Sequence, residues 1–165
     1  MEPVFHVDEQ AARFRVEQLF DAALPLVWKA FTQPELLDQW WAPHPWRCET
    51  HSMDFRPKGY WRYDMVSPDG QRIKSQQTYQ EILYEQMFSG TDAFVDADGS
   101  MKPDMPSANF INRFFPLGEQ TRVVMEAVYP EPQQLTAALS MGLQKGLSLT
   151  LNQLKSLLQK MKEHT

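Results

Sequence analysis

The chain has 165 residues and a single cysteine, Cys48. One thiol excludes an intrachain disulfide and fits a reducing compartment. No segment approaches the roughly 20 consecutive apolar residues of a membrane span. The N-terminus, Met1-Glu-Pro-Val-Phe-His-Val-Asp8, lacks the basic start and apolar run of a signal peptide. A cytoplasmic protein is therefore expected. Basic residues are too few and too scattered for a stripe that tracks a phosphate backbone: 16 Lys and Arg stand against 21 Asp and Glu, a formal net charge of -5. This argues against nucleic acid as a partner. Chain order offers no Ser-His-Asp signature, no phosphate-cradling glycine loop and no dinucleotide fingerprint, and nothing nominates a catalytic dyad or a cofactor. Internal repeats and low-complexity tracts are absent. His44, Cys48 and His51 could pass for metal ligands, but on a strand over residues 47–54 Cys48 and His51 point to opposite faces, so no metal site is expected. Asp96-Ala-Asp-Gly99 imitates part of a calcium loop without its third spaced ligand or closing Glu, and reads as a turn.

What is present is apolar and aromatic: 42% of residues are hydrophobic and 12% aromatic. A chain of this length buries about two thirds of its unfolded surface, enough for one core without metals or disulfides. A single domain over residues 13–161 is expected, preceded by a loosely held lead-in at residues 1–12. The dominant feature lies near the C-terminus, from Pro130 to Met161. On a helical wheel Leu135, Leu139, Leu143, Leu147, Leu151, Leu154, Leu157, Leu158 and Met161 form one arc, with Gln144, Lys145, Ser148, Asn152 and Lys155 opposite. Pro132 suits the first turn. The spacing predicts one helix of roughly 27 residues, near 40 Å long at about 1.5 Å per residue. Gly142 and Gly146 lie at one edge of the arc, each costing about 1 kcal/mol relative to Ala, and Thr150 interrupts its centre. Such positions admit a close backbone or leave space for something that is not protein.

Upstream, Arg13–Phe20 alternates as a half-buried strand, with Gln18 as its one irregularity. Pro25 and Pro34 open two short helices, the second with Gln33 as a weak cap. Strands are expected at Arg47–Asp54, Tyr60–Val66, Arg72–Leu83, Gln86–Ser89, Asn109–Phe115 and Arg122–Tyr129. Ser67-Pro-Asp-Gly70 closes a hairpin, and Thr91–Ser107 reads as one long loop. The order is β-α-α, five or six antiparallel strands, then the long helix: an α+β fold in which only that helix can cover the sheet.

Phe20-Asp-Ala-x-x-x-x-Val27-Trp-x-Ala-Phe-Thr32, Pro34-Glu-x-Leu-x-x-Trp40-Trp41, Asp54-x-Arg-x-x-Gly59-x-Trp-Arg-Tyr63, Phe94-x-Asp-Ala-Asp-Gly99, Thr121-Arg-Val-Val124 and Met141-Gly-x-x-x-Gly-x-x-x-Thr150-Leu-x-x-Leu154 follow one another in an order and spacing that resembles the SRPBCC superfamily (START-like, Bet v 1-like), in the branch named after the activator of heat-shock protein 90 ATPase. The resemblance covers residues 13–159. Three positions depart from it: Lys58 replaces one of paired glycines, Gln77 a glycine and Gln86 an arginine. The resemblance implies a helix-grip fold, a curved antiparallel sheet wrapped around a long C-terminal helix, with a small hydrophobic or amphipathic ligand held between them. Ligand pockets are mostly apolar with a few fixed polar groups. The residues here that fit are Trp40, Trp41, Trp61, Tyr63, Met65, Tyr79, Glu81, Phe88 and Phe110 from the sheet side, and Gly142, Leu143, Gly146, Leu147 and Thr150 from the helix. Met141 and the other methionines would let such a pocket adapt. Asp54, Asp64, Glu81 and Glu126 are the strand acids from which a pocket carboxylate could come. An enzyme of the cyclase or hydrolase kind is the second expectation, and would require such a group with a perturbed pKa. A protein-interaction module, including a regulator of the Hsp90 ATPase, is the third. The eukaryotic co-chaperone carries a separate N-terminal domain not found in these residues, which argues against a chaperone partner. A homodimer is left open.

Overall fold

The computed structural model describes residues 2–164, so Met1 of the expected lead-in lies outside the described residues. Eight strands form one antiparallel sheet in the order β1-β2-β8-β7-β6-β5-β4-β3. They are β1 (Val4–Asp8), β2 (Arg13–Phe20), β3 (Arg47–Asp54), β4 (Tyr60–Val66), β5 (Arg72–Leu83), β6 (Met87–Phe94), β7 (Ser107–Leu117) and β8 (Gln120–Val128). Helices α1 (Leu24–Thr32) and α2 (Pro34–Trp40) follow β2, while α3 (Pro132–Ser140) and α4 (Leu143–Glu163) follow β8. This is the helix-grip α+β arrangement. Among the described residues no helix is long and apolar enough to cross a membrane.

Alternation along the strands decides which side chains face the helices. In β2, Phe14, Val16, Gln18 and Phe20 are buried while Arg13 and Arg15 are exposed. Leu151, Leu154, Leu157 and Leu158 of α4 enter the same core as these strand residues. Helix α4 crosses α1 and α2. Its side chain Gln153 fastens the turn after α2: Nε2 donates to the Trp40 carbonyl at 3.1 Å and the Ala42 carbonyl at 2.8 Å, and Oε1 accepts from the His44 N–H at 2.7 Å. Three backbone groups that end a helix and begin a turn are thus satisfied by one amide.

Three expectations are corrected. The single long helix is two, α3 of 9 residues and α4 of 21. Gly142 sits between them at φ +92°, caps α3 through its N–H to the Leu139 carbonyl, and begins α4 by accepting from the Gly146 N–H. A leucine period continues across such a corner, because one left-handed residue turns the chain without changing which side chains are apolar. The expected lead-in contains β1, fully paired with β2 from Val4↔Glu17 to Asp8↔Arg13. Its side chains are mostly exposed, so hydrophobic patterning had little to register. The long loop is shorter than expected at both ends: Thr91–Phe94 continues β6, Ser107 begins β7, and a Val95↔Met101 bridge closes the turn at residues 96–100. Lys58, where the family pattern has glycine, adopts φ +69°. It does so beside Gly59, where a Cβ would lie 2.0 Å from the Asp54 carbonyl oxygen.

The two helix glycines should respond oppositely to alanine. Gly142→Ala places a Cβ in the left-handed region and is expected to cost about 1–2 kcal/mol. Gly146→Ala, whose Cβ would meet only Pro43 Cγ at 3.9 Å, is expected to gain up to about 1 kcal/mol. Urea unfolding of both variants checks the signs.

Candidate functional site

The core is solid at one end of the sheet and open at the other. The solid end is built around Trp28, whose ring meets Phe114 at 5.0 Å, Phe88 at 5.8 Å and Phe55 at 6.1 Å. Tyr79 packs on Phe55 at 4.8 Å and Phe110 on Phe88 at 6.0 Å. Trp40 meets Phe31 at 4.9 Å, and its Nε1 donates to the Ala30 carbonyl at 2.8 Å. All these rings are spent on one another.

Toward the other end, beneath the first two turns of α4, lies a cleft of about 450 Å³. This falls within the usual range for small-molecule pockets, about 300–1,000 Å³. Its floor comes from Tyr63 and Met65 of β4, Ile73 and Ser75 of β5, Asp92 to Phe94 of β6 and Ala108 of β7. Trp41, Pro43 and Trp46 form one wall. Met141, Gly142, Leu143, Gly146, Leu147 and Thr150 form the roof. Met141 and Gly142 are exposed, so the cleft opens at the corner between α3 and α4.

Of the side chains expected at a site, the cleft gathers Trp41, Tyr63, Met65, Gly142, Leu143, Gly146, Leu147 and Thr150. Trp40, Tyr79, Phe88 and Phe110 belong to the solid end instead. Trp61 shares a face with Tyr63 and stacks on it at 4.0 Å. It lies two residues nearer the solid end and donates its Nε1 to Thr50 Oγ1 at 3.0 Å, so it supports the cleft wall without lining it. Glu81 is exposed. Its parity with Tyr79 fails because the β5–β6 register shifts between Tyr79 and Ile82, which a pattern of alternation cannot register.

None of the four strand acids enters the cleft. Asp54 pairs with Arg56 at 2.6 Å and Glu126 with Arg113 at 2.8 Å. Asp64 is fully buried on the opposite face and gathers three basic side chains: His51 at 3.0 Å, Arg72 at 3.1 Å and Lys74 at 3.6 Å. Burial pushes the Asp64 carboxyl up, but hydrogen bonds from His51 and Arg72 outweigh it and hold the group below the usual carboxylate range. Cys48 is buried while His51 is exposed.

The acid in the cleft is Asp92, concealed in the sequence because Thr91–Ser107 reads as loop. Its place in β6 sets it opposite Gln77 of β5. Its Oδ1 accepts from the Tyr63 hydroxyl at 3.5 Å, a long and weak contact. Burial pushes the Asp92 carboxyl from the ordinary 3.8 up to about 7, against the opposing pull of hydrogen bonds from Gln77, Tyr63 and the Ala93 N–H. Burial likewise holds the Tyr63 phenol well above its ordinary value, reinforced by the nearby Asp92 charge. The Trp41 Nε1–H has no hydrogen-bond partner of good geometry, although it lies toward the Tyr63 hydroxyl and favours its ionised form. Trp41, Tyr63, Ser75 and Asp92 make one polar corner in an otherwise apolar cleft. The Thr150 hydroxyl, turned back to the Leu147 carbonyl at 3.0 Å, adds little polarity.

Residues 21–159 match the family described as Activator of Hsp90 ATPase homolog 1-like protein. Solved structures agree in fold. A protein from Arthrobacter aurescens superposes with a TM-score of 0.90 at 23% identity, covering 95% of this chain and 91% of that one. One from Mycobacterium smegmatis gives 0.85 at 25% identity, covering 94% and 95%. One from Nitrosomonas europaea gives 0.81 at 25% identity, covering 95% and 99%. No protein of curated function matches the chain.

The state of Asp92 can be read from stability. Folded, the carboxyl keeps its proton up to about pH 7, while the unfolded chain releases it at the ordinary value. The folded state therefore binds more protons across that interval, and this group's contribution to stability falls as pH rises through it. Asp92→Asn fixes a neutral side chain. The variant is expected to exceed the wild type by on the order of 2–4 kcal/mol at pH 8, with the difference closing toward pH 4. Urea unfolding across a pH series measures it.

Proposed function

The chain belongs to the Activator of Hsp90 ATPase homolog 1-like family of the SRPBCC superfamily, and on that premise we propose that it binds a small amphipathic molecule in the cleft beneath α4. One observation carries the reading: about 450 Å³ of space walled by Trp41, Trp46, Met65, Phe94 and Leu147, with polar groups gathered at a single corner. Apolar walls supply affinity by removing ligand surface from water, at about 25 cal/mol per Å². A single polar corner fixes which end of the ligand goes in. The helix glycine Gly146 fits the same purpose, since it keeps the roof thin where it faces Pro43. The family's name refers to the Hsp90 ATPase; the small-molecule reading rests on the cleft and not on that name.

A second reading, an enzyme using a cleft acid, is favoured by Asp92 alone. A carboxyl pushed up to about 7 exchanges protons near neutral pH, as a general acid or base requires. Its check is product release from a panel of hydrophobic esters. This reading expects turnover by the wild type that drops by roughly 10²–10⁴-fold in Asp92→Asn.

The binding reading is tested by titrating the neutral probe N-phenyl-1-naphthylamine into the wild type and into Gly146→Trp. The indole would occupy the cleft, and probe affinity should fall at least about tenfold, roughly 1.4 kcal/mol, with cooperative unfolding retained. Equal affinity in the two proteins would place the probe elsewhere and remove the cleft as the site. Native mass spectrometry of the freshly purified protein complements it, with a co-purifying small molecule expected.

A further inference from the structure

Two sheet carboxyls, Asp64, which is fully buried, and Asp92, which is half-buried at the cleft, are treated in opposite ways. Asp64 has His51, Arg72 and Lys74 around it. Asp92 has none of these. No Lys, Arg or His lines the cleft, and no cation stands among the groups that bear on its ionisation. Its neighbours are the Tyr63 hydroxyl, Gln77 and the Ala93 N–H. A carboxylate has about four acceptor sites, so capacity remains on the side facing the cleft. Leaving a carboxylate in an apolar site without a counter-charge is costly. At that corner stand the rings of Trp41 and Tyr63, and aromatic faces attract a cation within about 6 Å.

We infer that the ligand of this cleft is a hydrophobic amine, whose ammonium group supplies the missing partner of Asp92 while its apolar part lies between Trp46, Phe94 and Leu147. The inference rests on the small-molecule reading and sharpens it to a chemical class. The ammonium donates to the open carboxylate oxygen, Tyr63 donates to the other side of the same group, and the aromatic walls stabilise the positive charge. Trp41 keeps its orientation toward the Tyr63 hydroxyl. Other titratable groups that bear on this corner are Tyr63 of β4, Tyr79 of β5, Tyr129 after β8 and Cys48 of β3. Burial raises all four, Tyr129 to about 12. Helix α4 presents only Leu143, Gly146, Leu147 and Thr150 to the cleft. Asp92 is then the one group here that changes charge near neutral pH, and amine binding should follow its ionisation.

The test is calorimetric titration of three probes with the same apolar part: 4-phenylbutylamine, 4-phenylbutan-1-ol and 4-phenylbutanoate. At pH 8 an alkylamine remains protonated, with a pKa near 10.4. The expected result is an amine bound roughly ten- to hundredfold more tightly than the alcohol, the range of a charge-assisted hydrogen bond. That preference should disappear in Asp92→Asn, and cooperative urea unfolding shows the variant to be folded. Amine affinity for the wild type should rise roughly tenfold from pH 6 to pH 8, as a carboxyl ionising near 7 requires. Equal binding of amine and alcohol overturns the amine inference and leaves the small-molecule reading standing. Tighter binding of the butanoate also overturns it, in favour of a protonated Asp92 donating to an anionic head group. Binding of none of the three counts against both readings.

Discussion

The C-terminal half of α4 is closed against the core by Leu151, Leu154, Leu157 and Leu158, all nearly inaccessible, and Gln153 ties the same stretch to the turn after α2. With that end fixed, the first two turns of the helix have their height above the sheet set for them. They carry Leu143, Gly146 and Leu147, which are half-buried, and no large side chain fills the space beneath. The cleft follows from one rigid helix packed tightly at one end and roofing open space at the other. The amide of Gln153 also fixes the cleft's wall, because the Trp40 and Ala42 carbonyls it holds flank Trp41.

The same division explains how aromatic residues are used. At the solid end, Trp28 and its neighbours meet edge to face at 5.0–6.1 Å, an arrangement that adds to their area burial. At the open end, Trp41 meets Trp40, Trp61 and Tyr63 edge to face at 5.3–6.4 Å, and Trp41, Trp46 and Tyr63 also border the cleft. Trp61 and Tyr63, stacked at 4.0 Å, form the boundary between the two ends. Asp92 sits just beyond that boundary, where burial is sufficient to raise its pKa and space is sufficient for a ligand to reach it.

Several features were legible in the residues themselves. The leucine arc of residues 135–161, the period-two strands such as Trp61-Arg-Tyr63-Asp-Met65, and the proline-initiated helices at Pro25 and Pro34 each reflect local geometry that the chain carries wherever it folds. The fold class and the helix residues that roof the cleft, Gly142 to Thr150, followed from them. Asp92 was not legible, because its strand is interrupted by polar residues and followed by Pro103 and Pro106, so that pairing with β5 and β7 alone keeps it extended. Glu81 lies outside the cleft because a register shift separates it from the alternation of Tyr79. Gly142 was recognised as an interruption, yet its left-handed backbone, and so the division into α3 and α4, is a property of φ and not of composition.

The sequence by itself determined which faces are apolar, the order of elements from β2 to β8, and the membership of a family whose domains place a helix over a sheet. Periodicity and turn chemistry act within a few residues, so they survive in one dimension. Only the tertiary structure decided which aromatic side chains fill space and which border it, since Trp61 and Tyr63 share one face and differ only in distance along it. It also decided which carboxyl is paired. Asp64 and Asp92 are both strand aspartates, but Asp64 has His51, Arg72 and Lys74 from neighbouring strands around it, whereas Asp92 faces a cleft with no basic residue in its lining. Charge pairing across strands depends on register and on which face is covered, and neither is written in any single stretch of the chain.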